Sequence, residues 1–381
     1  MTIASPFGTP EHETFRQQAR RFVDERISPN IERWEAAREL PRELHRQAAD
    51  AGLLQIGFPE AYGGVEVPDS QFGIILTEEL ARAGSGGVIA SLMSHGIGTP
   101  PIVHVGSHDQ KQRFVAPVLS GEKIAALAIT EPRGGSDVAN LATRAERDGD
   151  HYIVNGSKTF ITSGMRADFI TTAVRTGGPG MGGVSLLVIE AGTPGFTRSP
   201  LEKMGWRCSD TATLYFDGCR VPVANRIGPE NAGFIAIMLN FNQERLMLAA
   251  QAWALAQVCY EESLAYARER ETFGKPLIRN QVIRHKLVDM RMRIEAMKAN
   301  LDVLAWRIDH KQMPVAEVCM LKNFATTSLE WVANEAMQVL GGAGYLQGSK
   351  VERIYRETKV LTIGGGSQEI MKDLAGRQLG Y

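Results

Sequence analysis

The chain is 381 residues long, more than one core comfortably supports, so two or three packed domains are expected. Lys and Arg (42) nearly balance Asp and Glu (43), leaving a formal charge of −1, which disfavours nucleic acid or anionic lipid as a partner. The four cysteines, Cys208, Cys219, Cys259 and Cys319, have no CxxC spacing and no histidine spaced for metal, so they read as reduced thiols and no metal site is expected.

The N-terminal MTIASPFGTPEHETF has no apolar signal core and no Arg-rich transit character, and no apolar run reaches spanning length. A cytoplasmic protein without a membrane partner is the expectation. From Glu11 to about Gly121 the pattern is helical. Phe15, Ala19, Phe22, Val23 and Ile27 recur at helix spacing before Pro29, then come Leu44, Ala48 and Leu53, then Ile74 to Ala83. Phe58 to Pro68 reads as a Pro/Gly-rich loop, and helices resume over Ser91 to Val105 and Gln110 to Leu119. Between Ile124 and Pro229 the period drops to two: Tyr152–Ile161, Phe169–Val174, Val184–Ile189 and Ala212–Phe216 are predicted strands. Helices return after Gly233 over Ala236–Arg270, Gln281–His310 and Val315–Leu340, with a last one from Ser367. The chain therefore reads as an α+β multi-domain protein: a helical domain at 1–123, a β barrel or sandwich at 124–230, and a four-helix bundle at 231–381.

One stretch, Ala125 to Gly164, organises the rest. Ala126 to Thr130 alternates as a strand that ends on Ile129 and Thr130. The loop Pro132-Arg133-Gly134-Gly135-Ser136 follows, with adjacent glycines that let backbone N–H groups approach an anion and a serine hydroxyl beside them. Asn155-Gly156 predicts a tight hairpin between Tyr152–Val154 and Thr159–Thr162. Phe160 and Thr162, two apart on the second strand, would offer a flat apolar wall beside a hydroxyl, which suits a flat ring such as an isoalloxazine.

These strings, ITEPxxGSD from Ile129 and NGxKxFIT from Asn155, resemble the flavin-binding signature of the acyl-CoA dehydrogenase family, and the resemblance runs from about Glu11 to the C-terminus. Lys203 to Pro222 is similar to that family's second β-domain signature. The resemblance implies FAD, held by Ile129, Thr130, Ser136, Phe160 and Thr162, and an acyl-CoA substrate, with Met93, Ser136 and Arg245 on the substrate side. It also implies an electron-transfer flavoprotein as acceptor.

Oxidising a Cα–Cβ bond beside a thioester needs a base for the Cα proton, a hydride acceptor, and donors for the enolate-like carbonyl. Much of the family carries its base as the Glu of a Tyr-Glu-Gly-Thr turn, but the aligned string here is Ile363-Gly364-Gly365-Gly366-Ser367-Gln368-Glu369, with Gly365 where that Glu would stand. Phe241-Asn242-Gln243-Glu244-Arg245-Leu246 resembles the alternative of isovaleryl-CoA and mammalian long-chain acyl-CoA dehydrogenases, in which a helix Glu before an Arg is the base. Glu244 is therefore the expected base, with a pKa raised by desolvation, and the resemblance implies that Gly365 offers its N–H to the thioester oxygen together with a flavin ribityl hydroxyl. Ser367 and Glu369 fall where the family has cofactor contacts, although a carboxylate at Glu369 also suits a helix start.

Arg270-Glu-Thr-Phe-Gly-Lys-Pro-Leu277 with Gln281, and Gln338-Val-Leu-Gly-Gly-Ala-Gly-Tyr345, are similar to two elements that reach the FAD of a neighbouring subunit in relatives. Arg270, Phe273, Gln281, Gln338 and Gly342 are thereby expected to contact cofactor across an interface, in a homotetramer built as a dimer of dimers. The readings left open beside a medium-, long- or branched-chain acyl-CoA dehydrogenase are a dehydrogenase of a carrier-protein-bound thioester, a flavin oxidase or monooxygenase relative, and a non-catalytic flavin-binding relative.

Overall fold

A computed structural model describes residues 5–381, apart from the side chains at 239 and 240. Its order is helical, then β, then helical. Among the described residues no helix is long and apolar enough to cross a membrane.

The first helical layer begins with Pro10–Phe22, started by Thr9 as N-cap and Pro10 in the first turn. Its buried stripe of Phe15, Ala19 and Phe22 packs with the helices Glu43–Asp50 and Gln71–Ala81. The helix expected over Ser91–Val105 is three short pieces, Gly86–Leu92, His95–Gly98 and Pro100–Val105, and two prolines in succession at 100 and 101, which cannot continue the preceding turn, make the second break.

The middle region is one eight-stranded mixed sheet of β1 (Ala125–Ala128), β2 (Arg144–Asp148), β3 (His151–Thr162), β4 (Phe169–Arg175), β5 (Val184–Glu190), β6 (Phe196–Pro200), β7 (Thr211–Pro222) and β8 (Arg226–Ile227). The order is β6-β7-β3-β2-β4-β5-β8, and β1 lies parallel on β4 with Ala125 opposite Phe169. Alternation sorts the side chains. Ile170, Val174, Leu187 and Ile189 join Tyr152, Val154, Leu214 and Phe216 in the core enclosed by the sheet. Phe169, Ala173, Leu186 and Val188 face outward onto Phe114, Val118 and Ile237 of the helical layers. Both faces of β4 and β5 are thus buried, as their continuous apolar sequence demands.

Asn155-Gly156 does not turn the chain. β3 runs on through it with a register shift between Val154 and Gly156, paired along both halves with β7, and the reversal comes at Gly149 between β2 and β3. Gly156 has another purpose: a β-carbon there would stand 2.7 Å from the Thr143 Cα, so the glycine permits close strand approach. A second register shift, between Lys158 and Ile161, puts Phe160 at φ 60°. There exposed Phe160 and half-buried Thr162 flank buried Ile161, so their two-residue spacing keeps both away from the barrel core.

The C-terminal layer packs Gly233–Glu269, Gln281–Asp309 and Val315–Leu340 with Lys350–Ile363 as the fourth long helix. That last segment is missing from the sequence reading, which placed the fourth helix at Ser367. The helix that starts there, Gln368–Leu379, packs instead on the outside of Val315–Leu340 through Met371, Ala375, Ala316 and Cys319. The helix Gly233–Glu269 touches all three layers, with Ala236 and Ile237 on the sheet and Leu246 to Val258 in the shared helical core.

Candidate active site

Glu244 sits in the fourth turn of Gly233–Glu269, on a helix hydrophobic nearly all round. Its Oε2 is shielded from solvent and accepts no hydrogen bond among the described residues. Burial pushes its pKa up to about 7, against the opposing pull of Arg245 and Lys322. An orphaned carboxylate oxygen that ionises near neutrality is a proton acceptor waiting for a donor.

The loop Gly364–Ser367 closes over this carboxylate. Gly365 has φ 66°, and a β-carbon on it would lie 3.9 Å from Glu244 Oε1 and 2.3 Å from Leu248 Cδ1. Arg245, buried with its guanidinium 5.2 Å over the Phe241 ring, donates to the Gly365 carbonyl at 3.4 Å. Lys322, from the helix Val315–Leu340, donates to the Gly366 carbonyl at 2.6 Å. Ser367 caps the last helix by accepting from the Ile370 N–H at 3.4 Å. Glu369 is exposed in the first turn of that helix, and its own backbone N–H and the Ser367 hydroxyl hold its carboxyl below the usual range.

On the sheet side, β1 ends at Ala128 and releases Ile129 and Thr130 into a connection pinned by buried charge. Lys158 is wholly buried on β3 and donates to Glu131 at 2.8 Å and to the Ile129 carbonyl at 2.9 Å. Glu131 in turn accepts from the N–H groups of Ala142 and Thr143 at 2.6 and 2.9 Å, and the Thr130 carbonyl accepts from the Thr159 N–H at 2.9 Å. These bonds fix both ends of the Arg133–Ser136 loop, which is itself exposed, with open space around Gly134. Ile129 packs in the same apolar cluster as Phe234, Met238 and Phe241, which brings the end of β1 to the helix one turn before Glu244.

Phe160 holds its ring 69% exposed at a left-handed backbone position that a bulky residue adopts only under constraint. A flat apolar group set out in this way, beside Thr162, fits a flat ring stacked against it. Met93 is half-buried at the edge of the helical core, after Gly86–Leu92.

The structure does not bring every expected residue together. Arg270 caps the far end of Gly233–Glu269, and 26 residues of helix separate it from Glu244 by about 39 Å. Phe273 is 100% exposed at φ 53°, and Gln281, Gln338, Gly342 and Tyr345 are exposed as well. These side chains line no part of the Glu244 site within one chain.

Lys322 escaped the sequence reading. Its signal was legible: Val318, Cys319, Ala325, Thr326 and Leu329 make the buried face of a helix, and a single lysine interrupts that stripe.

Three family models match the chain, described as the acyl-CoA dehydrogenase N-terminal domain at residues 9–122, middle domain at 126–219 and C-terminal domain at 231–380. The long-chain specific acyl-CoA dehydrogenase of Rattus norvegicus is 35% identical over 97% of this chain and 86% of its own length. A solved acyl-CoA dehydrogenase from Geobacillus kaustophilus is 36% identical, with TM-score 0.96 over 99% of this chain and 100% of that one. A glutaryl-CoA dehydrogenase from Mycobacterium smegmatis, solved in complex with FADH2, is 26% identical, with TM-score 0.91 over 98% of this chain and 95% of that one.

Proposed function

The chain belongs to the acyl-CoA dehydrogenase family, and on that premise we propose that it converts an acyl-CoA thioester to the trans-2-enoyl-CoA with Glu244 as base. The observation that carries this reading is the buried, unpartnered Glu244 carboxylate against the Gly365 backbone. FAD, when bound, supplies the acceptor for the hydrogen and electron pair leaving Cβ.

The protein's own groups do the remaining work. Glu244 Oε2 takes the Cα proton, at a position where no other acceptor competes and where low polarity keeps its basicity high. The Gly365 N–H donates to the thioester carbonyl, stabilising the negative charge that grows there as the proton leaves. Arg245 holds the loop by its Gly365 carbonyl, in the peptide unit that follows that donor. The exposed Phe160 ring, Thr162, Ile129 and Thr130 form the ring-binding side of the cofactor site, and the Gly134–Ser136 loop takes its phosphates, with Ser136 also near the substrate. Ser367 and Glu369 sit at a helix N-terminus against the same loop, and Glu369, solvated and already an N-terminal carboxylate, has the weaker case for a cofactor role.

The exposure of Phe273, Tyr345 and Gln338 supports a complete FAD site only in an assembly, in which Arg270, Phe273, Gln281, Gln338 and Gly342 of one copy reach the cofactor of another. A homotetramer is the assembly this reading expects, with an electron-transfer flavoprotein as acceptor. The likeness to a long-chain specific enzyme supports a medium-, long- or branched-chain acyl group, with Met93 along its path. Anaerobic titration of the holoenzyme with straight and branched acyl-CoAs tests the whole reading. Bleaching of the visible flavin band by one class supports it, and a flavin that no acyl-CoA bleaches overturns it.

A further inference from the structure

We propose that Lys322 is a positioning residue for this reaction: from the helix Val315–Leu340 it clamps the Gly366 carbonyl of the loop that lies against Glu244, and it presents its ammonium to the Glu244 carboxylate across that loop without forming an ion pair. The inference rests on the assignment of Glu244 as base.

Lys322 is wholly buried, and its ammonium donates to the Gly366 carbonyl at 2.6 Å. An ammonium set against a neutral carbonyl is a poor structural choice, because desolvating the charge costs more than one such bond returns. A methionine of similar length would fill the space without that cost. The lysine is explained by what surrounds it. The acidic groups that act on it are Glu244 across the loop and Cys319 on its own helix, whose thiol burial keeps protonated, while Arg245 opposes it. Burial, with Arg245 second, pushes the lysine down to about 8, so at neutral pH it still carries its proton. The charged groups that act on Glu244 are Arg245 from its own helix and Lys322 from Val315–Leu340; the loop contributes only the exposed Glu369 at its far end. Among the described residues no salt bridge joins Glu244 to Lys322, so both oxygens of the base stay free of cation contact while the field remains.

The clamp has a second consequence. Arg245 and Lys322, from two helices, hold two consecutive carbonyls, those of Gly365 and Gly366. In a trans peptide the N–H points opposite the carbonyl, so the Gly366 N–H is turned away from Arg245 and the Ser367 N–H away from Lys322. The same two bonds fix the height of Gly365 above Glu244.

Infrared difference titration of the carboxyl stretch in the holoenzyme, with Glu244→Gln as the blank, reads the Glu244 midpoint directly. Lys322→Gln keeps a donor for the Gly366 carbonyl but removes the charge, and Lys322→Met removes both. The expected result is a midpoint raised by about one pH unit in both variants. A midpoint unchanged in Lys322→Gln overturns the inference, and this variant decides alone if Lys322→Met fails to fold. Normal turnover by Glu244→Gln would defeat the base assignment instead, while leaving the Lys322 effect on the carboxyl measurable.

Discussion

Gly365 faces Glu244 so closely that a β-carbon on the glycine would stand 3.9 Å from the Glu244 Oε1. The resemblance puts a carboxylate at this loop position in much of the family; here the position is a glycine, and a carboxylate reaches the same loop from the helix Gly233–Glu269.

The pH dependence of kcat/KM should report this carboxylate. Glu244 must be unprotonated to accept a proton, and its pKa is about 7, so the rate should fall about tenfold per pH unit below 7 and level off above it. Stability carries the opposite sign. Folding raises this pKa above its unfolded value, so the group's contribution is complete below the ordinary carboxylate range and is lost as pH rises through about 7. The melting temperature of Glu244→Gln should therefore gain on wild type between pH 4 and pH 8; a constant gap would place the carboxylate in solvent.

Gly365→Ala tests the loop. Its φ of 66° strains any residue with a β-carbon, and the new methyl would also displace Leu248. A loss of about 1–2 kcal/mol in thermal unfolding is expected, and more for Gly365→Val. Equal stability of the three proteins would show that the loop adopts another backbone conformation.

Glu357 is a buried carboxyl outside the site, raised to about 8 mainly by burial and by the neighbouring Glu35. It accepts from the Gly86 N–H at 2.7 Å and the Trp206 N–H at 3.0 Å, tying helical and β layers together. Glu357→Ala leaves both donors buried without acceptors and should cost about 2–5 kcal/mol in denaturant unfolding, with Glu357→Gln costing less. A neutral alanine variant would mean the two donors find other partners.

Cofactor retention tests the assembly. Arg270→Ala alters a surface residue about 39 Å of helix away from Glu244, and Phe273→Ala one in the segment just beyond that helix end. Each should weaken FAD binding by about 10–100-fold in equilibrium dialysis, and the Glu244 titration should not move. Unchanged FAD affinity would remove the intersubunit contact.

The three-layer order was legible because period changes twice along the chain, from helical to two and back. The failures were local rules overruled at a distance. Asn155-Gly156 has ideal turn chemistry, but β7 pairs with β3 on both sides of it and the glycine is needed for contact with Thr143. The helix Lys350–Ile363 was missed because Glu352, Arg353 and Glu357 are buried charged residues that obscure its apolar face. Ser349 and Glu352, three apart, were the start signal, and the Ser349 hydroxyl does accept from the Glu352 N–H. At the site, Glu244 was legible only through resemblance, since a helix glutamate has no pattern of its own; its shielding comes from Gly365, more than a hundred residues later in the chain.

The most direct test is rapid anaerobic mixing of the holoenzyme with an acyl-CoA that bleaches its flavin, wild type against Glu244→Gln. Proton abstraction by Glu244 predicts flavin reduction about 10²–10⁴-fold slower in the variant, with FAD still bound and the fold intact. Reduction at the wild-type rate would contradict the account, because the proton would then be leaving to another group.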